Sequence, residues 1–123
     1  MTAESGTGVT FAICADSAVI GAISLMSIQQ HHQAELGYWV GVPFWNKGYA
    51  TEAVQLLLQF GFEQLKLNKI YAVHLIGNDS SGKVMIKNGM IKEGELIEHY
   101  KKGDEYRSVL QYRLTRKEFE TLR

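Results

Sequence analysis

Apolar positions along this chain first recur at every second residue and later at every third or fourth. Residues 9–15 and 19–28 are rich in β-branched and apolar side chains and are parted by Asp16-Ser17, a pair suited to a tight turn. They are predicted to form an antiparallel hairpin. After a polar loop over 29–33, residues 34–40 alternate, with Leu36, Tyr38 and Val40 on one face and Glu35, Gly37 and Trp39 on the other. That pattern predicts a third strand. From Ala50 the period lengthens: Ala50, Ala53, Val54, Leu57, Gly61 and Leu65 lie on one helical face, and the helix should end near Leu67-Asn68. Residues 70–76 read as a buried strand, and a strand, helix and strand in succession imply a parallel pair joined by a crossover. A shorter helix is predicted over 80–87, capped by Asp79 and ended by Asn88-Gly89. Two long strands, 91–101 and 105–114, should turn at Lys102-Gly103-Asp104, and residues 115–123, with Phe119 and Leu122 three apart, suit a short terminal helix. The fold class is α+β.

Composition narrows the function. A chain of 123 residues holds one modest domain, taken as 1–123, and its 13 basic and 13 acidic residues cancel. No block of like charge marks a nucleic-acid or membrane footprint, so neither partner is expected. The single cysteine, Cys14, sits in an apolar run and is expected to be a buried core thiol. No stretch is long and apolar enough to span a bilayer, and the opening Met1-Thr2-Ala3-Glu4-Ser5-Gly6 lacks the form of a signal peptide, so a cytoplasmic location is expected. Adjacent His31 and His32 project apart and no further ligands complete a set, so no metal is expected. His74 and His99, on predicted strands, are expected to be satisfied structural histidines.

The junction 38–53 holds the most chemistry. There a strand passes through Gly41, Val42, Pro43, Phe44, Trp45, Asn46, Lys47 and Gly48 into the helix that begins around Tyr49, Ala50 and Thr51. The first turn of a helix presents unpaired N–H groups and the positive end of its dipole, and Gly48 with the small Ala50 lets an anion come close. Lys47 adds charge at the rim. On these residues alone, phosphate binding and a plain backbone turn with a solvated lysine stand about equal. A Walker loop is excluded, because Lys47 precedes Gly48 and no glycine stands at the required spacing.

The run Phe44-Trp45-Asn46-Lys47-Gly48-Tyr49-Ala50-Thr51-Glu52-Ala53 resembles the acetyl-CoA pyrophosphate loop of GNAT acetyltransferases of the RimJ/RimL branch. Trp45 replaces the Gln or Arg of the wider pattern, which shifts weight to backbone N–H groups. Downstream, Asn78-Asp79-Ser80-Ser81-Gly82-Lys83-Val84-Met85-Ile86-Lys87-Asn88-Gly89-Met90 is similar to a second segment of that family. The likeness extends from about Val9 to Leu114, and the two motifs together are far more specific than either.

This resemblance implies a GNAT-like fold with a mixed central sheet, one parallel splayed pair and flanking helices, and acetyl-CoA as cosubstrate. Trp39, Val40, Gly41 and Val42 would line a slot for the pantetheine arm, and the N–H groups of residues 47–51 would hold the pyrophosphate. Lys83 and Lys87 would be within reach of the adenosine end. Glu35 is the candidate base for the amine proton, with pairing to a neighbouring lysine or arginine as its plain alternative. Ser81 would return a proton to the CoA sulfur, or simply serve the helix start; Asn78 would bridge cofactor and acceptor, or cap the turn. Tyr38, Trp39, Phe44 and Trp45 suit an acceptor pocket but equally a core or rim. The acceptor would be an amine-bearing small molecule or a protein N-terminus.

The same resemblance implies an N-terminally shortened domain, because only eight residues precede Val9 where the family begins with a further strand and a helical pair. Three readings follow: an active N-acetyltransferase, an idle CoA-binding module, or a structural fragment that self-associates. Dimerisation would be one way to complete the acceptor side, so a homodimer belongs among the expectations.

Overall fold

A computed structural model describes residues 8–122. The first six residues, considered above as a leader, and Arg123 of the predicted tail helix lie outside the described residues. Six strands form one sheet: β1 (Val9–Ala15), β2 (Ala18–Gln29), β3 (Gln33–Val40), β4 (Lys69–Leu75), β5 (Ile91–Lys102) and β6 (Glu105–Thr115). Their spatial order is β1-β2-β3-β4-β6-β5, with β3 and β4 parallel and every other neighbouring pair antiparallel. The helices are α1 (Tyr49–Gln59), α2 (Asp79–Lys87) and α3 (Arg116–Thr121).

The predicted turns follow from backbone angles. Asp16 and Ser17 both have positive φ, 50° and 72°, the combination that matches the twist of a two-residue hairpin. At the far end of the chain Thr115 and Glu118 bond reciprocally as a capping box that starts α3. The core lies between the sheet and the helices, where Leu25, Val54, Phe62, Leu67, Ile70 and Leu114 are fully buried. Each such side chain contributes about 1.5–3 kcal/mol relative to exposure. Because strand residues alternate, the face bearing Ala34 and Leu36 is buried in this cluster while Trp39, on the other face, is 60% exposed. Among the described residues no helix is long and apolar enough to cross a membrane.

Three local expectations are corrected. The first helix is not regular as far as Leu67-Asn68: α-helical bonding ends at Gln59 and a wider π turn spans Phe60–Gln64. Here Leu65 N–H reaches the Phe60 carbonyl, and Leu67 N–H reaches that of Gly61, both at 3.1 Å. An apolar period does not distinguish a widened turn from an ordinary one. Asp79 does not cap α2; Asn78 does, its Oδ1 accepting from Ser81 N–H at 3.4 Å, the N-cap to N3 spacing. Cys14 is exposed rather than buried. Ile13 takes the inward position on β1, and Cys14, next in an alternating strand at the sheet's edge, faces out.

Candidate active site

Strands β3 and β4 begin side by side and then part. Their paired residues are Gln33 with Lys69, Ala34 with Ile70, and Glu35 with Tyr71. Beyond that rung β3 stays with β2 as far as Val40, while β4 stays with β6 as far as Leu75. A wedge opens between them. Gly41 N–H donates to the Ile20 carbonyl at 2.8 Å, and backbone groups alternate between the two edges of a strand, so Leu36, Tyr38 and Val40 turn theirs toward the wedge. The carbonyl of Val40 is taken by the indole N–H of Trp45 at 2.6 Å. Trp45 therefore braces the loop against the end of β3, which is what it does in place of the Gln or Arg of the wider pattern.

The loop delivers the start of α1 beside the wedge. A short 3-10 turn, Val42–Phe44, carries Pro43, and Asn46 and Gly48 then adopt positive φ of 61° and 85° to redirect the chain. No side chain caps α1, and a Cβ built on Gly48 would meet nothing within 4 Å. An uncapped helix start with open space before it fits a phosphate group, whose oxygens the first-turn N–H groups can accept as partners. Lys47 is exposed at its rim, and an edge contact between Phe44 and Tyr49 rings, centroids 6.1 Å apart, holds the loop closed on itself.

The two sequence motifs meet here through a residue first noticed only as a helix end. Asn88 donates from Nδ2 to the Thr51 carbonyl at 3.2 Å and to the Val84 carbonyl at 3.0 Å, tying the end of α2 to the first turn of α1. Lys83 and Lys87 are exposed on α2, one turn apart, and Lys87 adjoins that tie. At the other end of α2, Gly82 is buried against β4: a Cβ there would lie 3.2 Å from both His74 Nε2 and Tyr112 Oη. The close approach brings Ser81 to the wedge.

Ser81 meets Tyr38 there. The Tyr38 hydroxyl donates to Ser81 Oγ at 3.4 Å, a long bond that crosses from β3 to α2 over the opening. Burial raises the Tyr38 phenol above its ordinary value of 10.0, and the bond to Ser81 opposes that shift. The sequence places Tyr38 only as pocket lining, core or rim; its alternation with Leu36 and Val40 is the signal that it faces the helices. Asn78 is exposed, and its side chain serves the cap. Trp39, Val42 and Trp45 are 60%, 67% and 57% exposed, so they form a rim rather than a closed pocket.

Glu35 lies apart from this group, on the last paired rung and on the sheet face opposite Leu36 and Tyr38. Its strand partners are Met26 and Tyr71, so no lysine or arginine stands beside it in register. Burial raises its carboxyl above 4.5, and attraction from His99 on β5 partly offsets this. His99 is exposed, not packed as a structural histidine. His74 is buried, stacked on Tyr112 with centroids 5.5 Å apart, and its Nδ1 is 2.8 Å from the Leu75 carbonyl. The Leu75 carbonyl can only accept, so the Nδ1 position carries a proton, and Nε2 has no partner among the described residues, which leaves this histidine satisfied on one side only.

A separate groove of about 460 Å³ runs between β1, β2 and α1, walled by Phe11, Ile13, Cys14, Ile23, Leu56 and Phe60 among others. It is apolar, and of the residues singled out above for cosubstrate binding only Tyr49 borders it.

Known proteins resemble this chain in sequence and in fold. The chain is 30% identical over 114 residues to YdaF of Bacillus subtilis, a protein provisionally named a ribosomal N-acetyltransferase, covering 92% of this chain and 62% of that one. It is 28% identical over 113 residues to the ribosomal-protein-serine acetyltransferase of Escherichia coli, covering 91% and 63% respectively. A crystal structure of a GNAT-family acetyltransferase from Bacillus anthracis superposes with a TM-score of 0.77 at 31% identity, over 83% of this chain and 61% of that one. The chain thus spans less than two thirds of the length of each. The family model for the acetyltransferase (GNAT) domain matches residues 1–91, and with the parted β3–β4 pair and the mixed six-stranded sheet this places the chain in the GNAT acetyltransferase family.

Proposed function

We propose that this chain transfers the acetyl group of acetyl-CoA to a primary amine, an α-amino group of a protein or a small amine. The observation that carries the reading is the wedge between β3 and β4 beside the uncapped start of α1. A thioester arm laid in the wedge would find free strand-edge groups along β3, and its phosphates would find the N–H groups of residues 47–51. The cosubstrate supplies an activated acetyl carbon and a sulfur leaving group. The chain supplies position and proton handling.

The attacking amine must be neutral. An α-amino group, with a pKa of about 7.7–8.0, is partly neutral at pH 7, whereas a lysine near ~10.4 is almost wholly charged. Glu35 lies at the foot of the wedge on one sheet face and accepts the proton the amine loses as its nitrogen bonds to the acetyl carbon. Burial raises its pKa, which makes it a better base than an ordinary carboxylate. Ser81, on the helical face, gives a proton to the sulfur as the carbon–sulfur bond breaks. Asn78 holds Ser81 by capping its N–H through Oδ1, and, being exposed, it can offer its amide N–H groups to an acceptor. Lys83 and Lys87 hold the adenosine end by charge.

The relatives' names point to two acceptor types. One is a ribosomal-protein serine acetyltransferase, and another, 28% identical over 102 residues and 55% covered, is the spermidine N(1)-acetyltransferase of Escherichia coli. Calorimetric titration with acetyl-CoA, CoA and ATP comes first, followed by thiol release with a serine-starting peptide and with spermidine. Saturable binding of acetyl-CoA but not ATP, with peptide-dependent thiol release, is the expected result. Binding without release from any amine would leave an idle CoA-binding module, and no binding by folded protein would defeat the proposal.

A second reading rests on the apolar groove between β1 and α1, where Leu56 is 58% and Phe11 42% exposed. Self-association through that groove would bury both; sedimentation showing a concentration-dependent dimer that Leu56→Lys abolishes would support it.

A further inference from the structure

We infer that Tyr38 is a positioning residue for the departing sulfur: its phenol donates to Ser81 Oγ, so that the serine's own proton is directed at the leaving group and is replaced from Tyr38 as it goes. The inference rests on the role given above to Ser81.

A serine hydroxyl carries one proton and two lone pairs, and near a helix start it commonly spends that proton on a nearby backbone carbonyl. Here the only hydrogen bond to Ser81 Oγ among the described residues is the one it accepts from Tyr38, at 3.4 Å. With a donor fixed on the α2-to-β3 side, the serine proton has no partner among the described residues and remains for something in the wedge. The two side chains come from opposite banks of that opening. Tyr38 stands on β3 three residues past the last rung shared with β4, and Ser81 stands on the first turn of α2.

Acid strength supplies the second argument. An aliphatic hydroxyl is a far weaker acid than a thiol, whose pKa is about 8.5, so serine alone would be left as an unstable alkoxide after protonating the sulfur. A phenol, near ~10, lies much closer to the thiol. The balanced step is therefore a double shift. The carbon–sulfur electron pair passes to sulfur, sulfur takes the Ser81 proton, Ser81 Oγ takes the Tyr38 proton, and the phenolate regains one from solvent. Tyr38 is half-buried, which favours its protonated form before the shift and still leaves it a route to water afterwards.

The test compares Tyr38→Phe, Ser81→Ala and the double variant of the full chain. The expected result is a kcat lower by roughly ten- to a hundredfold in Tyr38→Phe, with KM for acetyl-CoA within about twofold of the parent. In a Ser81→Ala background, Tyr38→Phe should cost nothing further, since the relay is already cut. Calorimetry supplies a readout without turnover: Tyr38→Phe should weaken free CoA relative to acetyl-CoA above about pH 8.5, where the thiol ionises, and leave acetyl-CoA unchanged. If Tyr38→Phe fails to fold, a fluorinated tyrosine at position 38 keeps the shape and lowers the phenol pKa, and the alkaline limb of kcat should move to lower pH. Full activity of Ser81→Ala defeats the serine reading beneath this inference. A crippled Ser81→Ala beside a fully active Tyr38→Phe, losses that multiply in the double variant, or an unmoved alkaline limb defeats this inference alone.

Discussion

Strand β4 has two neighbours and treats them differently. On one side it is zipped to β6 along its whole length, from Lys69 opposite Thr115 to Leu75 opposite Val109. On the other it meets β3 only as far as Glu35 opposite Tyr71 and then leaves it. The closed seam carries core side chains such as Ile70 and Leu114, both fully buried, and the open seam gathers Tyr38, Ser81, Glu35 and the start of α1. One strand thus anchors the fold along one edge and forgoes backbone pairing along the other, where unpaired groups become available to a ligand. The closed edge is what makes the open one affordable.

If the edges divide labour in this way, damage to each should read out differently. The largest expected effect is on the closed side: Leu114→Ala should destabilise the protein by about 2–5 kcal/mol in chemical denaturation. Acetyl-CoA affinity of the fraction still folded should be little changed. Next comes Glu35→Gln at the foot of the open side, expected to lower kcat roughly a hundredfold or more with melting temperature nearly constant. The parent's activity should fall as pH drops through the raised Glu35 pKa, because a protonated carboxyl accepts nothing, and Glu35→Gln should lack that acid limb. The stability contribution runs the other way. A folded pKa above the unfolded value means the native state holds the proton more tightly, so this contribution is complete below about 4.5, the unfolded value, and is lost as pH rises through the folded one. Raising the pH should therefore increase turnover while slightly loosening the fold.

The smallest of the three concerns the cradle at the head of the opening. Gly48→Ala must hold a side chain at a φ of 85°, a strain of about 1–2 kcal/mol, though nothing in the protein obstructs the methyl group. It should also weaken acetyl-CoA roughly tenfold by standing where a phosphate would approach, as calorimetry can measure. Equal affinity for parent and variant would remove the cradle from the cosubstrate site.

The closed side was legible in the chain because it depends on periodicity. Every strand and helix was foreseen, most to within a residue or two, since alternation and the three-to-four spacing report which face meets the core. The irregular parts were not. A π turn at Phe60–Gln64 keeps an apolar period and so resembles ordinary helix. Whether Asn78 or Asp79 caps α2 turns on one residue's backbone angles, which two adjacent good caps do not reveal. Cys14 appeared buried because its neighbours are apolar, but an edge strand of a single sheet has only one inward face. At the open side, the motifs gave the residues without their mutual contacts. That Tyr38 reaches Ser81, and Asn88 reaches Thr51, are meetings across 43 and 37 residues of chain, and no local pattern records them. Nor does sequence say that α2 brings Ser81 to the sheet face away from Glu35, a separation that in the proposed reaction would let an amine enter from one side while a thiol departs toward the other.

Asn88 also sets a length. Its amide binds the first turn of α1 and the last turn of α2 at once, while the first turn of α2 carries Ser81. In the proposed site, the gap between the phosphate cradle and the serine hydroxyl is thereby fixed by the stretch of α2 from Ser81 to Asn88, about seven residues or roughly 10 Å at 1.5 Å per residue. The molecule carries a ruler, and a donor whose phosphates and thioester are spaced to another measure would be gripped at one end and left unread at the other.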